Sequence, residues 1–406
     1  MSFIEGGVCA PKGFQASGVI CGIRPNPVKN DLAVVASDEA CTCAGVFTRN
    51  VVKAAPVLLD METVKLGKAR AIIANSGIAN ACAEDCEVNA QKMQQLGAGA
   101  LGLSSDEVLV CSTGIIGQRL NIEAIEEGLP GAVEKLSHSP EGSASAAEAI
   151  MTTDTVRKEQ ATEVLIGGVP VRIGAIVKGS GMIHPNMGTM LCFATTDCAI
   201  SREMLDSALR KACNISFNRI SVDGDMSTND SFLILANGMA GNPVIKEEGE
   251  DYDRFVAALQ SVSCDLARRM AADGEGAKHL MTCTVTGAAS EEDAEILAKS
   301  VISSSLTKAA IFGNDANWGR VLAAMGYSGV QFDPDGVDIS FRSVGGEILV
   351  CQKGHGLEFD EELASKILTQ DEVEILCEMT EGDGEATCWG CDLTYDYVKI
   401  NGDYRS

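Results

Sequence analysis

Residues 71–77 read Ala71-Ile72-Ile73-Ala74-Asn75-Ser76-Gly77, an apolar run that ends in three polar or flexible residues. The apolar part predicts a buried strand, and Asn75-Ser76-Gly77 predicts a turn that leads to a helix over residues 84–101. A second short strand is predicted over residues 108–111, and it ends in Ser112-Thr113-Gly114. Strands that alternate with helices in this way favour an α/β fold.

The same alternation continues on both sides of this unit. Strands are predicted over residues 18–23, 31–36, 44–48, 164–166, 169–173, 175–177, 191–194 and 232–236. Helices are predicted over residues 122–136, 143–151, 202–214, 252–272, 288–304 and 360–370. We therefore predict a layered α/β (α+β) protein with three parts: a catalytic domain over residues 1–280, a smaller C-terminal α+β domain over 281–390 and a tail over 391–406.

The charge balance limits the class of partner. The 406 residues carry 32 Lys and Arg against 57 Asp and Glu, which gives a formal net charge of −25. Such an acidic chain repels nucleic acids and anionic lipids, so we expect small-molecule partners. No apolar run reaches the roughly 18 residues of a membrane helix, and the first residues do not resemble a secretion signal. The expected location is the cytoplasm.

The sixteen cysteines include three close groups, Cys41-x-Cys43, Cys82-x-x-x-Cys86 and Cys388-x-x-Cys391. The four histidines lack zinc-finger spacing, so we predict no metal and interpret most cysteines as small buried hydrophobic residues. Two loops resemble ligand-binding motifs, but neither has the residues or spacing that its motif requires. Residues 273–279 lack the Gly-Lys-Ser/Thr ending of a phosphate loop, and residues 223–225 lack the spacing of a calcium loop. No cofactor is predicted.

One segment points to chemistry. Residues 178–191 read Lys-Gly-Ser-Gly-Met-Ile-His-Pro-Asn-Met-Gly-Thr-Met-Leu, so Gly188-Thr189 stands before an apolar strand. A threonine at a chain N-terminus can use its own α-amine, with a pKa of about 7.7 to 8.0, as the base that removes the hydroxyl proton. Thr189 is internal, so this chemistry requires cleavage of the bond to Gly188. From composition alone, a plain loop before a strand is an equally good interpretation.

The segment closely resembles the self-cleavage motif of the ArgJ family of ornithine acetyltransferases, K-G-x-G-M-x-x-P-N-M-A-T-M-L. The resemblance covers nearly the whole chain and includes further stretches at residues 10–14, 45–50, 75–77, 112–117, 151–155, 223–230, 273–278, 314–320 and 401–406. It implies an ArgJ/DmpA-like fold and transfer of an acetyl group from N2-acetylornithine to L-glutamate through an acetyl-threonine. It also implies an assembly of two α and two β chains, and it leaves open whether acetyl-CoA is a second acetyl donor.

The resemblance assigns roles to individual residues. Thr189 would be the nucleophile after cleavage between Gly188 and Thr189. Thr113 and Gly114 would form the oxyanion hole. The substrate-binding residues would be Thr152, Lys178, Thr189, Glu275, Asn401 and Ser406. Lys178 suits a substrate carboxylate and Glu275 suits the ornithine ammonium.

Three positions depart from the family pattern. Gly188 replaces the usual Ala, Ile78 replaces an Asn, and Met226 replaces a Thr. Cleavage is still expected, although a glycine loosens the backbone that cleavage must strain. Two other classes of protein stay open: a self-processing amidase or aminopeptidase on a related fold, and a non-catalytic cysteine-rich metal or thiol protein.

Overall fold

The computed structural model describes residues 2–24, 28–184 and 190–403. The strands in these ranges are β1 (Ser2–Ile4), β2 (Phe14–Val19), β3 (Leu32–Phe47), β4 (Lys68–Ile78), β5 (Val108–Ile115), β6 (Lys158–Ile166), β7 (Val169–Lys178), β8 (Leu191–Thr196), β9 (Ile220–Ser221), β10 (Ser231–Ala236), β11 (Leu280–Ala288), β12 (Asp338–Ser343), β13 (Gly346–Gln352), β14 (His355–Gly356), β15 (Glu372–Glu378) and β16 (Gly384–Cys391).

The α-helices in the same ranges are α1 (Ala55–Thr63), α2 (Cys86–Leu101), α3 (Ile122–Glu134), α4 (Pro140–Ala149), α5 (Arg202–Ile215), α6 (Glu250–Ala272), α7 (Glu291–Ser303), α8 (Ser305–Phe312), α9 (Trp318–Gly326), α10 (Glu361–Leu368) and α11 (Tyr395–Asp403). No helix in the described part of the chain combines the length and apolar character needed to cross a membrane.

The strands form two mixed sheets. The described strands of the first follow the order β1-β6-β7-β8-β10-β3-β4-β5, with β2 paired to the first half of β3. The second follows the order β14-β13-β12-β15-β11-β16-β9. Helices α2 and α3 pack with β3, β4 and β5, whereas α5 and α6 pack with β7, β8 and β10. Helices α7, α9 and α10 cover the second sheet. The predicted α/β fold, with sheets flanked by helices, is confirmed.

The chain before β10 and the end of β16 join the two sheets. The short strand β9 pairs in parallel with β16, although it precedes β10 of the first sheet. Lys308 is buried on α8, and its Nζ donates hydrogen bonds to the carbonyl oxygens of Val222, at 2.6 Å, and Cys391, at 2.5 Å. The proposed division of the chain at residue 280 stays a prediction.

One predicted turn is wrong, and the error concerns the site. Asn75-Ser76-Gly77 continues β4 and pairs in parallel with Ser112-Thr113-Gly114 of β5. Side-chain hydrogen bonds make this polar extension possible. Ser112 Oγ donates to Asn75 Oδ1 at 2.6 Å, and Ser76 Oγ donates to the Ala149 carbonyl at 2.6 Å. Because these buried groups have partners, the two strands carry polar residues into the protein interior.

Several boundaries differ from prediction: the strand predicted over 18–23 is β2, the two predicted over 31–36 and 44–48 are the single strand β3, and β6 begins before residue 164. Two further differences have a clear physical reason. The strand predicted to break near residue 174 is continuous in β7. A Cβ atom on Gly174 would lie 1.8 Å from the Gly7 carbonyl oxygen, so close backbone packing explains this glycine. The helix predicted over residues 288–304 begins only at Glu291, because Ser290 Oγ caps it by accepting from the Asp293 N–H.

Candidate active site

The predicted oxyanion residues lie at the end of β5. Gly114 has a φ of 129°, and a Cβ atom there would lie 2.2 Å from the carbonyl carbon of Gly77 on β4. Only glycine fits where these two backbones approach so closely. Thr113 lies beside it and is almost fully buried. The end of β5 therefore combines a hydroxyl and a backbone N–H in a fixed position.

Lys178 lies at the end of β7 and contacts this pair directly. Its Nζ donates a hydrogen bond to Thr113 Oγ1 at 3.2 Å. Burial lowers the pKa of Lys178, while the charges of Asp154, Asp230 and Glu275 oppose that shift. Because an ammonium can only donate, Thr113 Oγ1 must accept here, and the hydroxyl proton is left to bond another group. This polarity suits a donor to an oxyanion.

Asp154 connects Thr152 with the Lys178 segment. One carboxylate oxygen accepts from the Thr152 N–H at 3.0 Å, and the other accepts from Lys158 Nζ at 2.8 Å and the Gly179 N–H at 2.7 Å. Burial by itself would raise the pKa of Asp154, but the charges of Lys158 and Lys178 and these hydrogen bonds lower it to about 2. Asp154 is therefore a buried anion that holds both segments.

Asp273 connects Lys158 with the Glu275 segment. Lys158 has no solvent-exposed side-chain surface, and its Nζ lies 2.5 Å from Asp273 Oδ2. The Asp273 carbonyl accepts from Ser180 Oγ at 2.6 Å, and the Ser180 carbonyl accepts from the Glu275 N–H at 3.0 Å. Asp154, Lys158 and Asp273, here named the charge cluster, thus hold three substrate-residue candidates: Thr152, Lys178 and Glu275.

The C-terminal helix reaches the same place. Asn401 on α11 donates from Nδ2 to Glu275 Oε2 at 2.7 Å. Thr394, just before this helix, donates from Oγ1 to the Gly276 carbonyl at 2.8 Å. The tail therefore folds back and fixes the Glu275 carboxylate from the outside.

The chain on the N-terminal side of the predicted cleavage site is anchored by Asp223. Its carboxylate accepts from the Met182 N–H at 2.6 Å and the Ile183 N–H at 2.9 Å. His184 Nδ1 lies 3.0 Å from Ser221 Oγ, and burial lowers the pKa of His184 to about 4, as does the nearby charge of Lys299. Near neutral pH this imidazole is therefore uncharged.

A single pocket collects the predicted residues that the structure describes: Thr113, Gly114, Thr152, Lys178, Glu275 and Asn401. Its wall also contains Met190, Leu191 and the segment 227–230. Gly188, Thr189 and Ser406 lie outside the described residues. Met226 is bonded through its carbonyl to Asn50 Nδ2, at 2.9 Å, and is not among the pocket residues.

Sequence reasoning missed Asp154, Lys158, Asp273 and Asp230. Asp154, Asp230 and Asp273 stand inside stretches that resemble the family, and Asp154 and Lys158 are four residues apart. A sequence, however, does not say that such charges are buried. For the alternative of a metal protein, the described ranges contain no group of three His, Cys, Asp or Glu side chains that could hold a metal ion. All sixteen cysteines are free thiols, and Cys41, Cys43, Cys388 and Cys391 are buried.

Comparisons with known proteins agree in one family. The model of the ArgJ family matches residues 15–406. The chain is 49% identical to the arginine biosynthesis bifunctional protein ArgJ of Caldanaerobacter subterraneus subsp. tengcongensis over 407 residues, covering 100% of each. It is 47% identical to the glutamate N-acetyltransferase of Methanosarcina mazei over 409 residues, again covering 100% of each. A crystal structure of the ArgJ bifunctional protein from Bacillus halodurans aligns with a TM-score of 0.50 and 43% identity, over 52% of this chain and 98% of that chain. The family match includes the described second sheet, most of the first sheet and every described residue of the pocket, so this chain belongs to the ArgJ family.

Proposed function

We propose that this protein is an arginine-biosynthesis acyltransferase that moves the acetyl group of N2-acetylornithine to L-glutamate. The observation that carries the proposal is the pocket in which Lys178 and Glu275 lie with Thr113 and Gly114. Acetylornithine has a carboxylate, an ammonium and an acetyl carbonyl, and these three groups need a cation, an anion and an oxyanion hole. Relatives that match the whole chain are named as ArgJ bifunctional protein and glutamate N-acetyltransferase.

The nucleophile in this proposal is Thr189. Its hydroxyl attacks the carbonyl carbon of Gly188, the peptide nitrogen leaves as the α-amine, and water hydrolyses the resulting ester. The products are chains of 188 and 218 residues, the second number being 406 − 188. The hydrogen bonds that the Asp223 carboxylate accepts from the Met182 and Ile183 N–H groups support this step, because they hold the chain at residues 182 and 183 in place.

Acetyl transfer then proceeds in two halves. The α-amine of Thr189 takes the proton from Oγ, Oγ bonds to the acetyl carbon, and Thr113 and Gly114 stabilise the oxyanion. The C–N bond breaks as the ammonium returns its proton to the leaving ornithine nitrogen. The amine of glutamate attacks the acetyl-threonine in the second half, so ping-pong kinetics are expected. Acetyl-CoA would enter by acylating the same Thr189 Oγ.

The assembly and location are also part of the proposal. Two copies of each cleaved chain would form the α2β2 unit expected from the family resemblance. The free thiols suit a reducing compartment such as the cytoplasm.

Mass spectrometry of the intact protein, followed by a transfer assay, tests the proposal. We expect masses for residues 1–188 and 189–406, and acetylglutamate formation that requires Thr189. Thr189→Ala should abolish cleavage and transfer, whereas Thr369→Ala, at an exposed threonine after α10, should change neither. Normal turnover by Thr189→Ala would refute the mechanism. Hydrolysis of acetylornithine at the same rate with and without glutamate would show an amidase instead.

A further inference from the structure

Two cysteines, Cys82 and Cys86, lie on the loop that connects β4 to α2, and the proposed mechanism does not use them. All sixteen cysteines of the chain lie in the described ranges, and among them Cys82 alone is exposed. Cys86 is only 7% exposed. An exposed cysteine near a buried one is typical of redox-sensing thiols, in which the first reacts with an oxidant and the second forms a disulfide with it.

One hydrogen bond shows how close the two cysteines are. Cys86 Sγ accepts from the Ala83 N–H at 3.2 Å. The Ala83 nitrogen is two covalent bonds, or about 2.4 Å, from the Cα atom of Cys82, so Cys86 Sγ lies within about 5.6 Å of that Cα atom. An S–S bond adds about 2 Å to the length of one cysteine side chain. Rotation of the Cys82 side chain and a small movement of the loop therefore suffice to join the two sulfurs.

Hydrogen bonds hold the loop in this shape. Asn80 Nδ2 donates to the Cys86 carbonyl at 3.1 Å, which ties the chain before Cys82 to the first residue of α2. The Ala81 carbonyl accepts from the Gly117 N–H at 2.9 Å. Asn80 and Cys82 both have positive φ values, 51° and 59°, which residues other than glycine seldom adopt. The loop thus keeps the two cysteines together before any bond forms between them.

Burial makes the other partly accessible thiols less reactive. The thiolate is the form that attacks an oxidant, and a raised pKa leaves less of it near neutral pH. Burial raises the pKa of Cys264 to about 11, and burial and the charge of Asp31 also raise that of Cys21. Burial raises the pKa of Cys86 as well. An oxidant from solution should therefore react first at the exposed Cys82.

We propose that Cys82 and Cys86 form a dithiol that reacts with hydroperoxides and closes to a reversible disulfide. The inference is independent of the proposed function. The Cys82 thiolate attacks the terminal oxygen of a hydroperoxide ROOH, so the S–O bond forms, the O–O bond breaks, and the other oxygen takes a proton and leaves as the alcohol ROH. Cys86 Sγ then attacks the sulfur of the Cys82 sulfenic acid. The S–O bond breaks, and its OH group leaves as water with the proton of Cys86.

The two thiols supply the two electrons that reduce the peroxide. The products are one disulfide, one alcohol and one water, or two waters where R is hydrogen. A small dithiol returns the pair to its free form by thiol–disulfide exchange. Closure of the disulfide also protects Cys82 from the sulfinic and sulfonic acids, which thiols do not reduce.

Mass spectrometry of the protein after exposure to hydrogen peroxide tests the inference. The wild type should lose the mass of two hydrogens, with the bond mapped between Cys82 and Cys86, and dithiothreitol should restore the original mass. In Cys86→Ser, Cys82 should instead gain one oxygen, which a dimedone-type reagent traps as a sulfenic acid. In Cys82→Ser, Cys86 should stay a free thiol. Serine is close to cysteine in size and can still accept from the Ala83 N–H, so the fold should be kept.

Cys264→Ser is the matched control, because it removes a half-buried thiol elsewhere and should form the same disulfide as the wild type. A wild-type protein in which Cys82 gains oxygen without a bond to Cys86 would overturn the inference. So would a disulfide between two copies of the chain, seen as a reducible dimer, or thiols that stay unmodified at a peroxide concentration that oxidises free cysteine. Both cysteines precede residue 188, so a protein without cleavage or transfer would remove the proposed function and leave these results unchanged.

Discussion

Replacement of Lys158 by Met removes the cation at the centre of the charge cluster. Lys158 Nζ lies 2.8 Å from Asp154 Oδ1 and 2.5 Å from Asp273 Oδ2, and the lysine side chain has no exposed surface. Methionine fills a similar volume but leaves two carboxylates that face each other without their shared partner. The structure therefore predicts a large loss of stability from a side chain that does not line the pocket.

The magnitude follows from burial. Removal of one partner from a buried ion pair costs about 3–5 kcal/mol, because the remaining charge stays desolvated. The pKa of Asp154 gives an independent lower figure. Its fall from 3.8 to about 2 corresponds to roughly 2 kcal/mol at 1.36 kcal/mol per unit, and Lys158 is the first of the attractive contributions to it. We expect the free energy of unfolding to fall by about 3–5 kcal/mol.

Urea unfolding at neutral pH measures this difference, with Lys65→Met as the control. Lys65 Nζ lies 2.5 Å from Glu62 Oε1, so the two lysines make equally short contacts. The Lys65 pair is more than 60% exposed on both sides, at 63% and 70%, and such pairs contribute at most about 1 kcal/mol. The comparison of the two variants isolates the effect of burial.

The pH dependence supplies a second test. The pKa of Asp154 is lower in the folded protein, so its stabilising contribution is complete above about 3.8 and is lost as pH falls toward about 2. In Lys158→Met the Asp154 carboxylate lacks the cation that lowers its pKa, so protonation in acid removes an uncompensated buried charge from the variant while it weakens the wild type. The difference between the two proteins should narrow below pH 4 or so. A Lys158→Met protein as stable as Lys65→Met at neutral pH, or a difference that does not narrow in acid, would refute this account of the cluster.

Three further changes have defined outcomes. Gly114→Ala places a Cβ atom 2.2 Å from Gly77, so the N–H proposed to stabilise the oxyanion must move and the transfer rate should fall on the order of a hundredfold, whereas Gly99→Ala, which meets no atom within 4 Å, should leave it unchanged. Glu275→Gln keeps an acceptor for the tail but loses the anion, so KM for acetylornithine should rise at least about tenfold with a smaller change in kcat; equal KM values would remove the ammonium-binding role. Asn401→Ala frees Glu275 Oε2, now bonded at 2.7 Å, and should raise the same KM by a few fold, which steady-state kinetics can measure against Glu275→Gln.

Local patterns predict much of this fold because the elements are strongly periodic. The helices at residues 86–101, 202–215 and 250–272 lie within two residues of their predicted ends. Local patterns predict the wrong secondary structure where contacts with distant parts of the chain stabilise a different one. Asn75-Ser76-Gly77 has the composition of a turn but is a strand, since Ser112 and the Ala149 carbonyl satisfy its polar side chains from elsewhere in the chain.

Some residues of the candidate site could also be predicted from the sequence, and others could not. Family resemblance identifies residues that would touch the substrate, such as Lys178 and Glu275, because their motifs are local. It does not identify what holds them. Lys158 and Asp273 are 115 residues apart in the sequence, and only the fold shows that they form one buried pair. Asp230 is a similar case, because the sequence does not show that its carboxyl group is buried in the wall of the pocket.

These buried groups together explain how one pocket could serve both halves of the proposed reaction. The pocket must release ornithine, which is net positive, and then accept glutamate, which is net negative. A pocket of fixed charge would favour one of them. Burial instead shifts Lys178 and Asp230 in opposite directions, lowering the pKa of the lysine and raising that of the carboxyl, so both move toward their neutral forms. The charge cluster, by contrast, holds Asp154 firmly ionised. The proposed site thus combines a buried carboxylate that stays ionised with a lysine and a carboxyl group whose pKa values burial shifts toward their neutral forms.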